Sequence, residues 1–372
     1  MTLPEAIVAV TADGPDLDPA VYGAKAVGLQ RLMRLGLPVP PALVVPVASA
    51  RAIATDQTAG RDELRAAVRT LGGPGDRLAV RSGAAVSLPG AFETLLDVLP
   101  SVVDAAVVTV VESTRGLRVE TIARALGHDR VPETAVVIQR QVDATADARS
   151  GAGAASSRHP VTGEPGATGS YVWQVRGDAV MAATTPVLAL DAMSERAPEA
   201  YARLLADLQR LDAELDSAVE VEFTVESGEI AYLQLRTFEV TTDTAELPAG
   251  SLVIAEGQPA SAGVGRGRVF VDVDDALDAG DRGEPVVLVL ETSAPADMTA
   301  MVRSAAVLTI MGGRESHAAV VTRGAGVPAV LAVQGLQIAG DHILLGDRRI
   351  EVGEELVVDG TTGRIARPPL GD

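Results

Sequence analysis

The chain contains no cysteine among its 372 residues, which excludes disulfides, thiolate metal sites and a cysteine nucleophile. Aromatic residues make up only 2%, so a core must be assembled from Val, Leu, Ala and Ile. Lysine is almost missing: Lys25 is the single one, and every other basic residue is arginine. In such an arginine-dominated background, one ammonium is either a chance survivor or a place where a compact charge on a flexible stem is required. A basic surface is lacking too. The formal net charge of -19 offers no clustered cations for a nucleic-acid backbone, so nucleic acid is not an expected partner. Solubility is explanation enough for the acidity. No charged-then-apolar leader opens the chain, and no apolar run reaches the length of a membrane span. A soluble cytoplasmic protein with no membrane partner is the expectation. At 47% hydrophobic residues, the length allows two or three packed domains.

What is present concentrates in residues 305–331, AAVLTIMGGRESHAAVVTRGAGVPAVL. An apolar run at 305–310 has strand composition and is broken by Gly312 and Gly313. Ser316 then stands before an apolar run that reads as one short helix, ended by Gly324 and Gly326. His317 therefore falls in the first turn, beside unpaired N–H groups and the positive end of the helix dipole. An anion is favoured there, so a phosphoryl group on the imidazole would be stabilised. An imidazole of ordinary pKa, about 6.5, is mostly neutral at pH 7 and nucleophilic. The competing reading of the same residues is a capping segment with a buried, hydrogen-bonded histidine.

Three further stretches carry chemistry. Residues 23–35 read as a helix whose first turn holds Lys25, where a cation is unfavourable unless an anion is near. Residues 82–90 follow a short strand (78–80) as a loop of small residues, able to bring backbone N–H groups close to phosphate oxygens. Residues 219–225 alternate, with Glu220, Glu222 and Thr224 on one face; Gly228 turns the chain and 230–236 return. Pairing Glu222 with Gln234 and Glu220 with Arg236 gives a face of two carboxylates, one amide oxygen and one guanidinium. Such oxygens suit Mg²⁺, and the guanidinium suits a phosphate. A solvated face with cross-strand ion pairs is the alternative. Residues 198–217 place leucines on one helical face and read as a core helix.

Five strings then combine: GGRESHAAVVTRGAGVPAV, YGAKAVGLQRLMRLGLPVPPALVV, VRSGAAVSLPGAFET, VEVEFTVESGEIAYLQLRT and GQPASAGVGRGRVFV. Together they resemble the motifs of the phosphoenolpyruvate-utilising enzymes, the family of pyruvate phosphate dikinase, phosphoenolpyruvate synthase and rifampin phosphotransferase. The resemblance implies that His317 is the phosphorylated residue, with Thr309 and Arg314 near enough in sequence to help hold its phosphate. It implies that Lys25, Arg81 and Arg236 bind the phosphates of ATP, with Ser87, Gly90 and Thr94 in a loop over them. Gln139 lies on the strand that leads to the adenine pocket in the family. Glu222 and Gln234 are implied ligands of Mg²⁺, and Glu220 stands where relatives have Asp and is assigned to the nucleotide. The match thins at residues 150–166, where Gly153, Ala154 and Ala155 replace large apolar residues and His159 replaces Asn or Asp. A looser, more exposed ribbon is expected there, with His159 an exposed turn residue. His128 is expected at the surface and His342 in a turn.

The implied fold is α/β (α+β): an ATP-grasp-like nucleotide-binding domain at 1–242, a linker at 243–252, and a swivelling β/β/α phosphohistidine domain at 253–372. No stretch resembles the family's phosphoenolpyruvate/pyruvate barrel. The implied function is dikinase-type: ATP and Mg²⁺ phosphorylate His317, AMP leaves, and the phosphate passes to an unknown acceptor on a separate barrel-type subunit or to a small molecule. Two alternatives stand beside it, a non-catalytic phosphohistidine carrier with a degenerate nucleotide domain, and an antibiotic or metabolite kinase.

Overall fold

The computed structural model describes residues 3–56, 60–73, 75–86, 88, 92–175, 188–240, 245–314 and 316–369. They form two compact units, one of residues 1–151 with 221–236 and one of 152–220 with 237–372. The expected linker at 243–252 falls inside the second.

The first unit begins β1 (Val8–Val10), α1 (Pro19–Arg34), β2 (Ala42–Val45), α2 (Val47–Thr55), α3 (Arg61–Val68), β3 (Leu78–Ala84) and β4 (Thr94–Val98). It continues with α4 (Val103–Glu112), α5 (Leu117–Ala125) and β5 (Thr134–Arg140). The strands form one sheet in the order β1-β2-β5-β3-β4, each pair antiparallel. One face of the sheet is covered by helices, with Val80, Val136 and Ile138 packed in the same core as Ile53, Leu64, Val107 and Val110. Helix α4 reads VDAAVVTVVE and is apolar almost all round, which suits a helix enclosed by its neighbours. Helix α1 starts earlier than residue 23 because Asp18 caps it, accepting from Ala20 N at 2.9 Å, and Pro19 fits the first turn. Gly23 interrupts it at φ 77, ψ 153. A Cβ at Gly23 would lie 1.6 Å from the carbonyl oxygen of Gly83, so this glycine lets α1 press on β3. Strand β3 also runs on to Ala84, further than its apolar start indicates, because its edges pair with β5 through Thr134.

The second unit contains β6 (Gly151–Arg158), β7 (Pro165–Trp173), β8 (Leu188–Ala189) and α6 (Pro198–Leu215). The hairpin β9 (Ala218–Glu226) and β10 (Glu229–Phe238) follows, and most of it belongs to the first unit. Strand β6 corrects an expectation: it is buried along nearly its whole length, not loose or exposed. Its small side chains are the reason. A Cβ on Gly169 of β7 would stand 2.4 Å from the Ala154 carbonyl oxygen, so the two backbones approach more closely than large residues permit. In α6, Leu204, Leu208 and Leu211 are fully buried, as the helical spacing predicts.

The remaining strands are β11 (Leu252–Glu256), β12 (Gln258–Ser261), β13 (Val264–Phe270), β14 (Val286–Leu290), β15 (Ala306–Thr309), β16 (Ala329–Leu331), β17 (Leu336–Ile338), β18 (His342–Leu345), β19 (Arg348–Glu351), β20 (Glu355–Asp359) and β21 (Arg364–Arg367). Helices α7 (Val273–Asp281), α8 (Met298–Arg303) and α9 (His317–Ala325) connect β13 to β14, β14 to β15 and β15 to β16. The eight-stranded sheet has the order β11-β21-β20-β13-β14-β15-β16-β12, parallel from β13 to β16. Consecutive βαβ crossovers direct the loop after each parallel strand to one edge of the sheet, where α/β folds place their sites. His342 opens β18 opposite Glu351 and is a strand residue, not a turn residue. Mixed helix and sheet throughout agrees with the α+β class read from the sequence.

Candidate active site

In the first unit, three cations converge on one carboxylate. Arg81 is buried at 9% exposure; its Nη1 donates to the Leu233 carbonyl at 3.1 Å and its Nη2 lies 3.4 Å from Glu222 Oε2. Its Nε is buried without a hydrogen-bond acceptor, a state that costs roughly 1–3 kcal/mol unless something fills it. Lys25 is buried within reach of the same carboxylate's charge. Burial pushes its ammonium down, Arg81 and Arg236 add repulsion, and Glu222 offsets them only in part, leaving a pKa of about 7. Burial alone would raise the Glu222 carboxyl, but Arg81, Arg236 and Lys25 outweigh it and hold it below the usual carboxylate range. Three positive groups against one negative group is the electrostatics of an anion receptor.

Around this cluster the other expected residues divide. Gln234 and Arg236 are half-buried on β10, and Arg236 contributes to the field at Lys25 and Glu222. Gln139 is buried on β5 and donates Nε2 to the Pro40 carbonyl at 3.3 Å. Thr94 opens β4 opposite Arg81 in register, with its side chain exposed. Ser87 and Gly90 lie outside the described residues. Glu220 is buried at 6%, and its carboxylate lies 3.7 Å from Arg323 Nη2. An ionised carboxylate on β9 and an amide oxygen on the neighbouring strand β10 are the ligand types Mg²⁺ takes while keeping most of its shell for water and nucleotide phosphates.

In the second unit, the loop after β15 delivers His317 at the edge of the parallel strands. Gly312 makes the turn at φ 122, and Ser316 caps α9, its Oγ accepting from Ala319 N at 3.4 Å. Gly326, left-handed at φ 65, ends the helix. His317 is half-buried, and its Nε2 lies 3.2 Å from the sulfur of Met298 on α8. Thr309 is fully buried and donates Oγ1 to the Met311 carbonyl at 2.6 Å. Arg314 is half-buried, and its Nε has no acceptor. His159 is half-buried, not exposed: its Nδ1 accepts from Val161 N at 3.3 Å and Thr162 N at 3.1 Å. Burial, then the charge of Arg314, lowers its pKa. Two residues at this site escaped the sequence reading. Met298 gave no signal at all, and Arg323 was visible only as a cation in the last turn of a helix.

Residues 282–363 match the mobile domain of PEP-utilising enzymes. Pyruvate, phosphate dikinase 2 of Oryza sativa subsp. japonica is 31% identical over 271 residues, 62% of this chain and 31% of that protein. The pyruvate, phosphate dikinase of Clostridium symbiosum is 29% identical over 272 residues, again 62% and 31%. The chain thus spans about a third of the length of these relatives. Among solved structures, D-alanyl-alanine synthetase A from Vibrio cholerae aligns over 59% of this chain and 56% of that one, at 12% identity and a TM-score of 0.33. The matched segment contains His317, whereas Lys25, Arg81, Glu222 and Arg236 lie in the other unit. Residues 282–363 are thus similar to the mobile domain of PEP-utilising enzymes, and 62% of the chain is similar to pyruvate, phosphate dikinases.

Proposed function

We propose that this chain is an ATP-dependent phosphotransferase in which His317 carries phosphate from nucleotide to acceptor. The observation that carries the reading is the cluster of Lys25, Arg81 and Arg236 around Glu222, with a buried Arg81 N–H that lacks an acceptor. The first unit acts as the ATP-grasp-like nucleotide-binding part, and the residues around His317 act as the mobile phosphohistidine part. Lys25, Arg81 and Arg236 hold the polyphosphate, and Glu222 and Gln234 would hold Mg²⁺. Bound there, the ion would supply charge neutralisation on the transferring group.

The step is dikinase-type. A lone pair of the His317 ring attacks the β-phosphorus, a P–N bond forms, and the bridging oxygen leaves with its electron pair as part of AMP. The ring sheds its remaining N–H proton. The terminal phosphate departs to water or to inorganic phosphate, and the remaining phosphoryl group is taken by an oxygen of an acceptor bound elsewhere, pyruvate-like or another small molecule. Nothing in this chemistry demands covalent help beyond the imidazole; positioning and charge do the rest.

Incubation of the pure protein with Mg-ATP, followed by nucleotide analysis and mass measurement of the His317 peptide, tests the reading. AMP with a labelled His317 is expected, and His317→Ala should take up nothing. Lys25→Ala should label about a hundredfold more slowly. ADP in place of AMP would replace the dikinase step by a γ-phosphoryl transfer. Wild-type protein that binds ATP without labelling overturns the proposal.

A further inference from the structure

Arg323 lies in the last turn of α9, six positions after His317, and its guanidinium binds three separate parts of the second unit. Nη1 donates to the carbonyl of Arg314 at 2.7 Å and to the carbonyl of Ala260 on β12 at 3.0 Å. Nη2 faces the buried carboxylate of Glu220 at 3.7 Å. Only 19% of the side chain is exposed. Both Nη1 hydrogens are therefore committed, one to the strand that edges the sheet and one to the loop that precedes His317. Among the described residues, the start of that loop is tied by the Met311 N–H to the Glu291 carbonyl at 2.9 Å, while nearer His317 the Ser316 N–H to the Gly313 carbonyl at 3.0 Å is local and the cap to Ala319 is long at 3.4 Å. A planar fork anchored on β12 can fix the Arg314 carbonyl where a single flexible ammonium could not.

We infer that Arg323 is a positioning residue for phosphoryl transfer: it pins the loop before His317 to β12, with Glu220 as the buried counter-charge that keeps the guanidinium in place. The inference rests on the phosphohistidine reading for its catalytic half, but the pinned loop stands without it. It also gives Glu220 a role in holding α9 and its loop, in place of the direct nucleotide contact implied by resemblance. Displacement of a reacting group by about 1 Å costs on the order of a hundredfold in rate, so a loosened loop should be visible in turnover.

The test compares wild type with Arg323→Lys, Arg323→Met and Glu220→Gln in two measurements. Hydrogen exchange of the peptide covering residues 311–319 reads the loop, with peptides from β14 and β15 as the check on folding. The rate of His317 labelling at several ATP concentrations separates kcat from KM. Arg323→Met should speed exchange in that peptide alone and lower kcat about tenfold or more, with the KM for ATP unchanged. Arg323→Lys and Glu220→Gln should show the same pattern more weakly. Faster exchange without loss of kcat overturns the inference, as does loss of kcat without faster exchange. A rise in KM with Glu220→Gln restores Glu220 to the nucleotide. If wild type is not labelled by ATP at all, the phosphotransfer reading fails, while the exchange arm still decides whether Arg323 pins the loop.

Discussion

A lysine flanked by two guanidinium groups is half-way to losing its proton, and this makes Lys25 a reporter of what binds beside it. Its pKa falls from an ordinary 10.5 to about 7, through burial first and then through Arg81. Between those values the unfolded chain binds a proton that the folded chain does not, so folding stability contributed by Lys25 rises with pH across that window. Polyphosphate binding has the opposite sign. A bound anion favours the ammonium, so nucleotide affinity should be flat below about pH 7 and weaken by up to tenfold per pH unit above it. Calorimetric titration with Mg²⁺ and a non-hydrolysable ATP analogue from pH 6 to 9 measures this directly. Arg at position 25 stays charged throughout, so Lys25→Arg should lack the slope, and taking the ratio removes the nucleotide's own titration. Parallel curves for the two proteins would remove Lys25 from the anion site.

At the scale of elements, the break in α1 matters more than its helical length. Gly23 has φ 77 and ψ 153, a region that essentially only glycine enters, and a Cβ there would strike the Gly83 carbonyl at 1.6 Å. Gly36, just past the end of α1, has a similar φ of 73 but nothing within 4 Å. Gly23→Ala should therefore cost about 4 kcal/mol or more and take nucleotide affinity with it, whereas Gly36→Ala should cost about 1–2 kcal/mol. Denaturant unfolding of both variants, with analogue binding measured on each, checks the difference; equal costs would mean that α1 does not lean on β3. The same pair shows what the sequence could reveal. Periodicity and caps located α6, α9 and the Ser316 and Gly326 boundaries, because those signals lie within a few residues of the structure they specify. The crowding of Gly23 on Gly83 and the bonds from Arg323 to Ala260 join residues 60 or more apart, and no local pattern encodes them. Strand β6 was misjudged for the same reason: small residues read as looseness until the backbone they admit is seen.

For the whole molecule, the relevant contrast is between a net charge of -19 and a small buried site that is positive. Exposed ion pairs such as Arg51–Glu133 and Arg266–Glu355 are each worth little, and the acidic residues in excess of the basic ones make the net charge negative. It gives solubility, not recognition. On the proposed function, recognition comes from the first unit, where Lys25, Arg81, Glu222 and Arg236 all reside, whereas His317, Arg314 and Arg323 belong to the second. This division makes a calorimetric prediction. A ligand stabilises only what it binds, by about 2.7 kcal/mol at a concentration a hundred times its dissociation constant. For a unit of this size that corresponds to roughly 5–10 °C. Scanning calorimetry with Mg²⁺ and the ATP analogue should therefore raise one transition and leave a second in place. His317→Ala should not alter the ligand-induced shift, because the residues proposed to hold the nucleotide all lie in the first unit. Lys25→Met should abolish it. A shift that survives Lys25→Met and vanishes with His317→Ala would reverse the assignment of the nucleotide to the first unit.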